Sequence, residues 1–140
     1  MKRIAVICMT ILLAVLAACA RQRSFSYAPE EMAGTWTQKY DGSGTVEISE
    51  SGGRYAVLIR MDKENGEAET WSMTAVPADG NTLRYKNCIH AVWSAGDVSA
   101  PAMDILYENG TGTITVLSTF ELMWQDDVDN AGENIVFTHT

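Results

Sequence analysis

The sequence predicts an all-β fold, an antiparallel barrel of about eight to ten short strands. Three observations point there. From Gly34 onward the apolar residues recur with period two, the period of a strand that buries one face. Short runs rich in β-branched and aromatic residues alternate with clusters of Gly, Asn and Asp. No window beyond the first 18 residues carries an apolar stripe of helical spacing and helical length.

Taken in order, strands are expected at Thr35–Tyr40, Thr45–Ser49, Arg54–Met61, Glu69–Ala75, Thr82–Lys86, Cys88–Ser94, Met103–Glu108, Gly112–Leu117, Phe120–Gln125 and Ile135–Thr138. The separators are good turn chemistry: Asp41-Gly42-Ser43-Gly44, Ser51-Gly52-Gly53, Glu64-Asn65-Gly66, Asp79-Gly80-Asn81 and Asn109-Gly110. Asn-Gly tolerates positive φ and so favours tight hairpins. Alternation assigns the faces. Val46 and Ile48 lie opposite Thr45, Glu47 and Ser49, and Trp71, Met73 and Ala75 lie opposite Thr70, Ser72 and Thr74. Leu83 with Tyr85, Ile114 with Val116, and Leu122 with Trp124 follow the same rule. The Arg54–Met61 run is apolar at both parities, as a strand buried on both faces would be.

The N-terminus reads as an export signal. Met1-Lys2-Arg3 is cationic, and Ile4 to Ala18 is apolar except for Thr10. The stretch is short for a membrane span, which needs about 20 residues. It ends in Leu16-Ala17-Ala18-Cys19, which resembles a lipobox. That resemblance implies diacylglyceryl transfer to the Cys19 thiol and cleavage before it. Two or three acyl chains then hold the protein to a membrane, outside the cytoplasm, without a span. Ala20 follows, where an aspartate would act as an inner-membrane retention signal in some two-membrane bacteria, so an outer membrane is an allowed destination where the cell has one. Residues 19–32 are then a lipidated tether, and 33–140 form one domain. A flexible 12-residue linker spans about 20 Å.

Composition narrows the function classes. Of three cysteines, Cys8 is removed and Cys19 lipidated, which leaves Cys88 and no intramolecular disulfide. The chain has 18 acids against 10 bases and a formal charge of −8. Loss of Lys2 and Arg3 makes the mature chain two units more negative. No lysine or arginine follows Lys86. Nucleic-acid binding needs a basic surface and is rejected. Anionic headgroups should also repel the body as a whole. A small ligand, a basic protein or a cation remains compatible, and so does a surface that is acidic only for solubility.

Trp36, Trp71, Trp93 and Trp124, with Tyr85, are the candidate ligand-binding residues; Tyr55 and Tyr107 alternate in the same way. In a barrel they converge on the interior, either lining a pocket or filling a solid core. The loop from Asp126 to Glu133 is the densest acidic cluster, with Asp126, Asp127 and Asp129 as candidate calcium ligands. It fails the EF-hand pattern at Ala131 and Thr138, and a solvated turn is the alternative. Cys88 and His90 share a strand parity, about 6.5–7 Å apart, without an orienting third group. His139 could join them as a zinc ligand, but the spacing matches no common pattern. The expectation there is a buried thiol and a surface histidine. No Gly-x-Ser-x-Gly elbow or phosphate-cradling loop occurs, and neither an enzyme nor a cofactor is expected.

Gly34-Thr35-Trp36 resembles the Gly-x-Trp opening of lipocalin-type and avidin-type barrels, in which the tryptophan closes one end. A wider resemblance runs through Gly53 to Ile59, Glu69 to Met73, Leu83 to Tyr85, Gly110 to Thr113, Leu122 to Asp126 and Val136-Phe137. It is to an uncharacterised lipoprotein domain of anaerobic Gram-positive gut bacteria, and it implies a fold and a location but no activity. Met61, where a second strand tryptophan would be expected, and the Cys88–Pro101 segment depart from it. Two functions are therefore expected as alternatives: a binding module for a small molecule, sugar or peptide, or an interaction or inhibitor module acting through the acidic surface.

Overall fold

The computed structural model describes residues 29–95 and 102–140. The expected signal segment, Cys19 and most of the expected tether lie outside them. A single helical turn, α1 (Pro29–Met32), leads into eight strands: β1 (Gly34–Gln38), β2 (Gly44–Ser51), β3 (Arg54–Asp62), β4 (Ala68–Pro77), β5 (Thr82–Trp93), β6 (Met103–Ser118), β7 (Glu121–Asp126) and β8 (Val136–His139). Each strand pairs antiparallel with the next, and β8 returns to β1, which closes the barrel. The closing seam pairs Trp36 with His139 and Gln38 with Phe137. Closure removes the free edges that an open sheet would expose, except where β6 runs on past the end of β7 between Met103 and Gly112.

The expected alternation fills this barrel. Val46, Ile48, Trp71, Met73, Ala75, Leu83, Tyr85, Ile114, Val116, Leu122 and Trp124 all point inward and are buried. Met32 is buried as well; its carbonyl accepts the Trp36 indole N–H at 3.1 Å, so α1 seats against the core. Trp36 also meets the His139 ring edge-on, at 4.6 Å. The N-terminal turn Pro29–Met32 thus lies at the end that carries the turns at 52–53, 78–81 and 119–120. The opposite end carries the turns at 39–43, 63–67 and 127–135.

Three expectations change. Ten strands become eight because two expected breaks are bulges. Asn87 (φ 61°) and Asn109 (φ 63°) take the left-handed conformation, yet the chain runs on through both. Thr82–Lys86 and Cys88–Ser94 therefore fuse into β5, and Met103–Glu108 and Gly112–Leu117 into β6. The β5–β6 register slips between Tyr85 and Ala91, where the extra residues are absorbed. Second, β3 is buried on one face only: Tyr55, Val57 and Ile59 face in, while Leu58 lies 40 % exposed on the outer wall. A closed barrel has a single interior, so no strand has two buried faces. Third, His90 is only 3 % exposed and lies inside the wall, on the same face of β5 as the buried Cys88.

Candidate ligand site at the end away from the tether

Asp126 ends β7, and it is the one fully buried carboxylate among the described residues. Strand β7 alternates inward through Leu122, Trp124 and Asp126, so the same period that buries the tryptophan buries the acid. Two phenols meet it. Tyr85 Oη donates to Oδ1 at 2.9 Å, and Tyr107 Oη donates to Oδ2 at 2.8 Å. The backbone N–H groups of Val128 and Asp129 donate to Oδ2 at 2.9 and 3.3 Å. Each phenol in turn accepts an indole N–H: Trp124 Nε1 donates to Tyr85 Oη at 2.9 Å, and Trp71 Nε1 to Tyr107 Oη at 3.0 Å. Two tryptophans, two tyrosines and one carboxylate therefore form one chain of donors ending on Asp126.

The electrostatics follow from this wiring. Burial works to raise the Asp126 carboxyl, but donated hydrogen bonds from Tyr107, Tyr85 and the two backbone amides outweigh it, so the acid is held below its ordinary value. Both phenols move the other way: burial first, then the negative Asp126, push Tyr85 and Tyr107 up and keep them protonated donors. Burial, together with Asp126 and Asp129, pushes the Cys88 thiol up to about 12. A thiol with that value is protonated at neutral pH and makes a poor nucleophile. Cys88 in the folded chain is expected to resist alkylation at pH 8 and to react once the chain is unfolded in denaturant. Fast labelling of the folded protein at Cys88, followed by peptide mass spectrometry, would contradict this burial.

His90 sits beside the network. Its ring stacks on Trp71 with centroids 4.1 Å apart and meets Tyr107 edge-on at 5.0 Å. Nε2 lies 3.2 Å from Glu69 Oε2, and Glu69 also pairs with Lys63 at 2.9 Å. Burial tends to raise Glu69, but Lys63 and His90 outweigh it and hold the carboxyl below its usual range. Nδ1 lies 3.3 Å from Asp129 Oδ2 but is not aligned with it, and this buried nitrogen has no hydrogen-bond partner. Buried polar atoms left in that state are uncommon. Nε2 therefore has its partner in Glu69, while Nδ1 faces the Asp129 carboxylate without a hydrogen bond.

The expected site residues are thus distributed. Trp71, Tyr85 and Trp124 join at the Asp126 network, and the Trp71 and Trp124 rings touch at 4.9 Å. Trp93 stands at the rim, its indole donating to Thr70 Oγ1 at 2.9 Å. Trp36 lies apart, against Met32 and His139. The three loop acids do not converge. Asp126 points into the barrel, Asp127 accepts from Thr111 Oγ1 at 2.9 Å, and Asp129 accepts from the Ala131 amide at 2.9 Å. Among the described residues no three His, Cys, Asp or Glu side chains are placed to hold a metal ion. Sequence reasoning missed Glu69 altogether. It also read Asp126 as part of the loop, although the period of β7 pointed it inward.

These features define a closed, eight-stranded, up-and-down antiparallel β-barrel with a buried aromatic–carboxylate network at one end. Comparison with protein-family models, with curated proteins and with solved structures found no match to this chain.

Proposed function

We propose that this protein is an extracytoplasmic lipoprotein, held to a membrane by lipid on Cys19, whose barrel is a non-catalytic binding module for a small molecule, sugar or peptide. The observation that carries the binding reading is His90. A buried imidazole with an unpartnered Nδ1, walled by Trp71 and Tyr107 and flanked by Glu69 and Asp129, suits a ligand that brings a hydrogen-bond donor. A hydroxyl or ammonium group reaching Nδ1 would satisfy it and Asp129 together. The raised thiol argues against Cys88 as a nucleophile. Pro29–Met32 lies at the opposite end, so an anchored barrel would present this site away from the membrane.

The anchor has its own test. Growth with a labelled fatty acid should label the wild-type chain, and Cys19→Ser should abolish the label and release the protein from the membrane fraction. Equal membrane retention and labelling in the Cys19→Ser chain would remove the anchor from this account.

One observation favours a second reading, a protein-interaction module. The upper half of β6 exposes Met103, Ile105 and Leu106 beside Asp104 and Glu108, and β7 pairs with β6 only from Gly112 onward. An apolar strand margin edged with acids suits a basic protein partner. Pull-down from envelope extracts should then retain a basic protein at low salt and lose it at high salt. Retention insensitive to salt, or no retention, would contradict it.

A further inference from the structure

We propose that the outer wall of β3–β6 carries an anion-binding groove, built on Arg54, Arg84 and Lys86, that takes phosphate-bearing ligands. The groove encloses about 1090 Å³ and all three cations line it. Their isolation is the telling feature. In a chain with 18 acids and 10 bases, carboxylates are in surplus. Among the described residues Lys39, Arg60 and Lys63 each pair with one, on Glu121, Asp62 and Glu69. Arg54, Arg84 and Lys86 pair with none, and they stand together despite their mutual repulsion. A bound anion would relieve that repulsion.

The fold explains why they meet. Arg84 and Lys86 alternate outward on β5, opposite Val76 and Thr74 of β4, and Arg54 opens the adjacent β3. Arg84 also faces Thr113 of β6. The bulge at Asn87 and the register slip between Ser72 and Thr74 fall at this level of the wall, where added twist makes it concave. Thr74 and Thr113 line the groove and add hydroxyl donors. The one acid on its rim, Asp127, is engaged by Thr111. A guanidinium offers a planar fork to phosphate oxygens and an ammonium offers a point charge, so this set suits a phosphate or pyrophosphate group better than a single carboxylate. The negative net charge describes the whole body, whereas this groove is locally cationic.

The same phosphate chemistry could come from a soluble ligand or from a lipid headgroup, and one experiment separates them. The full chain in neutral detergent micelles is followed by amide NMR in two arms, one titrated with pyrophosphate and one doped with phosphatidylglycerol. Saturable shifts at residues 84–87 and 111–113 are expected with pyrophosphate, weakening as salt is raised. Arg84→Gln with Lys86→Gln should weaken this binding by about tenfold or more. Arg60→Gln, on an already paired cation, should leave it unchanged. Shifts in the pyrophosphate arm alone identify a soluble ligand, and shifts of the same residues in both arms identify a headgroup. Thermal melts should show both variants folded, since all these side chains are exposed. No shifts at the groove in either arm, undiminished binding in the double variant, or equal loss in Arg60→Gln would overturn the proposal.

Discussion

Replacing Asp126 with alanine is expected to cost the barrel about 3–5 kcal/mol of stability, because it leaves one buried and three part-buried donors without an acceptor at once. Tyr85 Oη, Tyr107 Oη and the Val128 and Asp129 amides all end on this one carboxylate. Urea unfolding followed by tryptophan fluorescence checks the figure, and a loss under about 1 kcal/mol would mean that water or rearranged partners satisfy those donors. The pH dependence has a definite sign. The folded-state value of Asp126 lies below the ordinary 3.8, so the ionised acid favours the folded chain. Its contribution is full above the unfolded-state value and is lost as pH falls through the folded one. The stability gap between parent and Asp126→Ala should therefore be constant near neutrality and narrow below about pH 4. A gap that widens on acidification would contradict the assignment.

Gly112→Ala is expected to cost about 3 kcal/mol or more, at the upper end of overpacking penalties. A methyl group at this position would overlap Tyr85 Oη and the Gln125 carbonyl oxygen. The carbonyl belongs to the strand backbone and cannot swing aside. Gly112 pairs with both Tyr85 and Asp126, so the displaced phenol is the one that binds the carboxylate. The two substitutions strike one network, and combining them should cost less than the sum of the single losses. Strict additivity, measured by the same urea unfolding, would show that the clash at Gly112 and the hydrogen bonds at Asp126 are independent.

Much of this fold was legible in the sequence because a barrel asks little of it. Alternation fixed the inward residues of β2, β4, β7 and the lower halves of β5 and β6. What failed was the reading of asparagine. Asn87 and Asn109-Gly110 looked like chain reversals, since left-handed asparagine serves hairpins well. The same conformation also serves a bulge, and only the partner strand decides between them. Gly110 fits because any side chain there would strike Tyr107 and Cys88 across the fold. Local sequence cannot show that contact. The His90 environment was illegible for the same reason. Glu69, Tyr107 and Asp129 come from three other places in the chain, although parity did put His90 on the same face as the buried Cys88. Asp126 was legible and was overlooked: composition grouped it with Asp127 and Asp129, while parity grouped it with Leu122 and Trp124.

The proposed binding function puts a ligand at His90, at the end of the barrel opposite Pro29–Met32. Imidazole and indole ¹⁵N NMR of the full chain, titrated with a panel of neutral sugars, amino sugars and lysine-containing peptides, tests it most directly. At least one class in the panel should shift His90 Nδ1 and the Trp71 Nε1 signal together and saturably, and Asp129→Asn should weaken that response by about tenfold. Signals of His90 and Trp71 that stay fixed across the whole panel, or a response indifferent to Asp129→Asn, would contradict it.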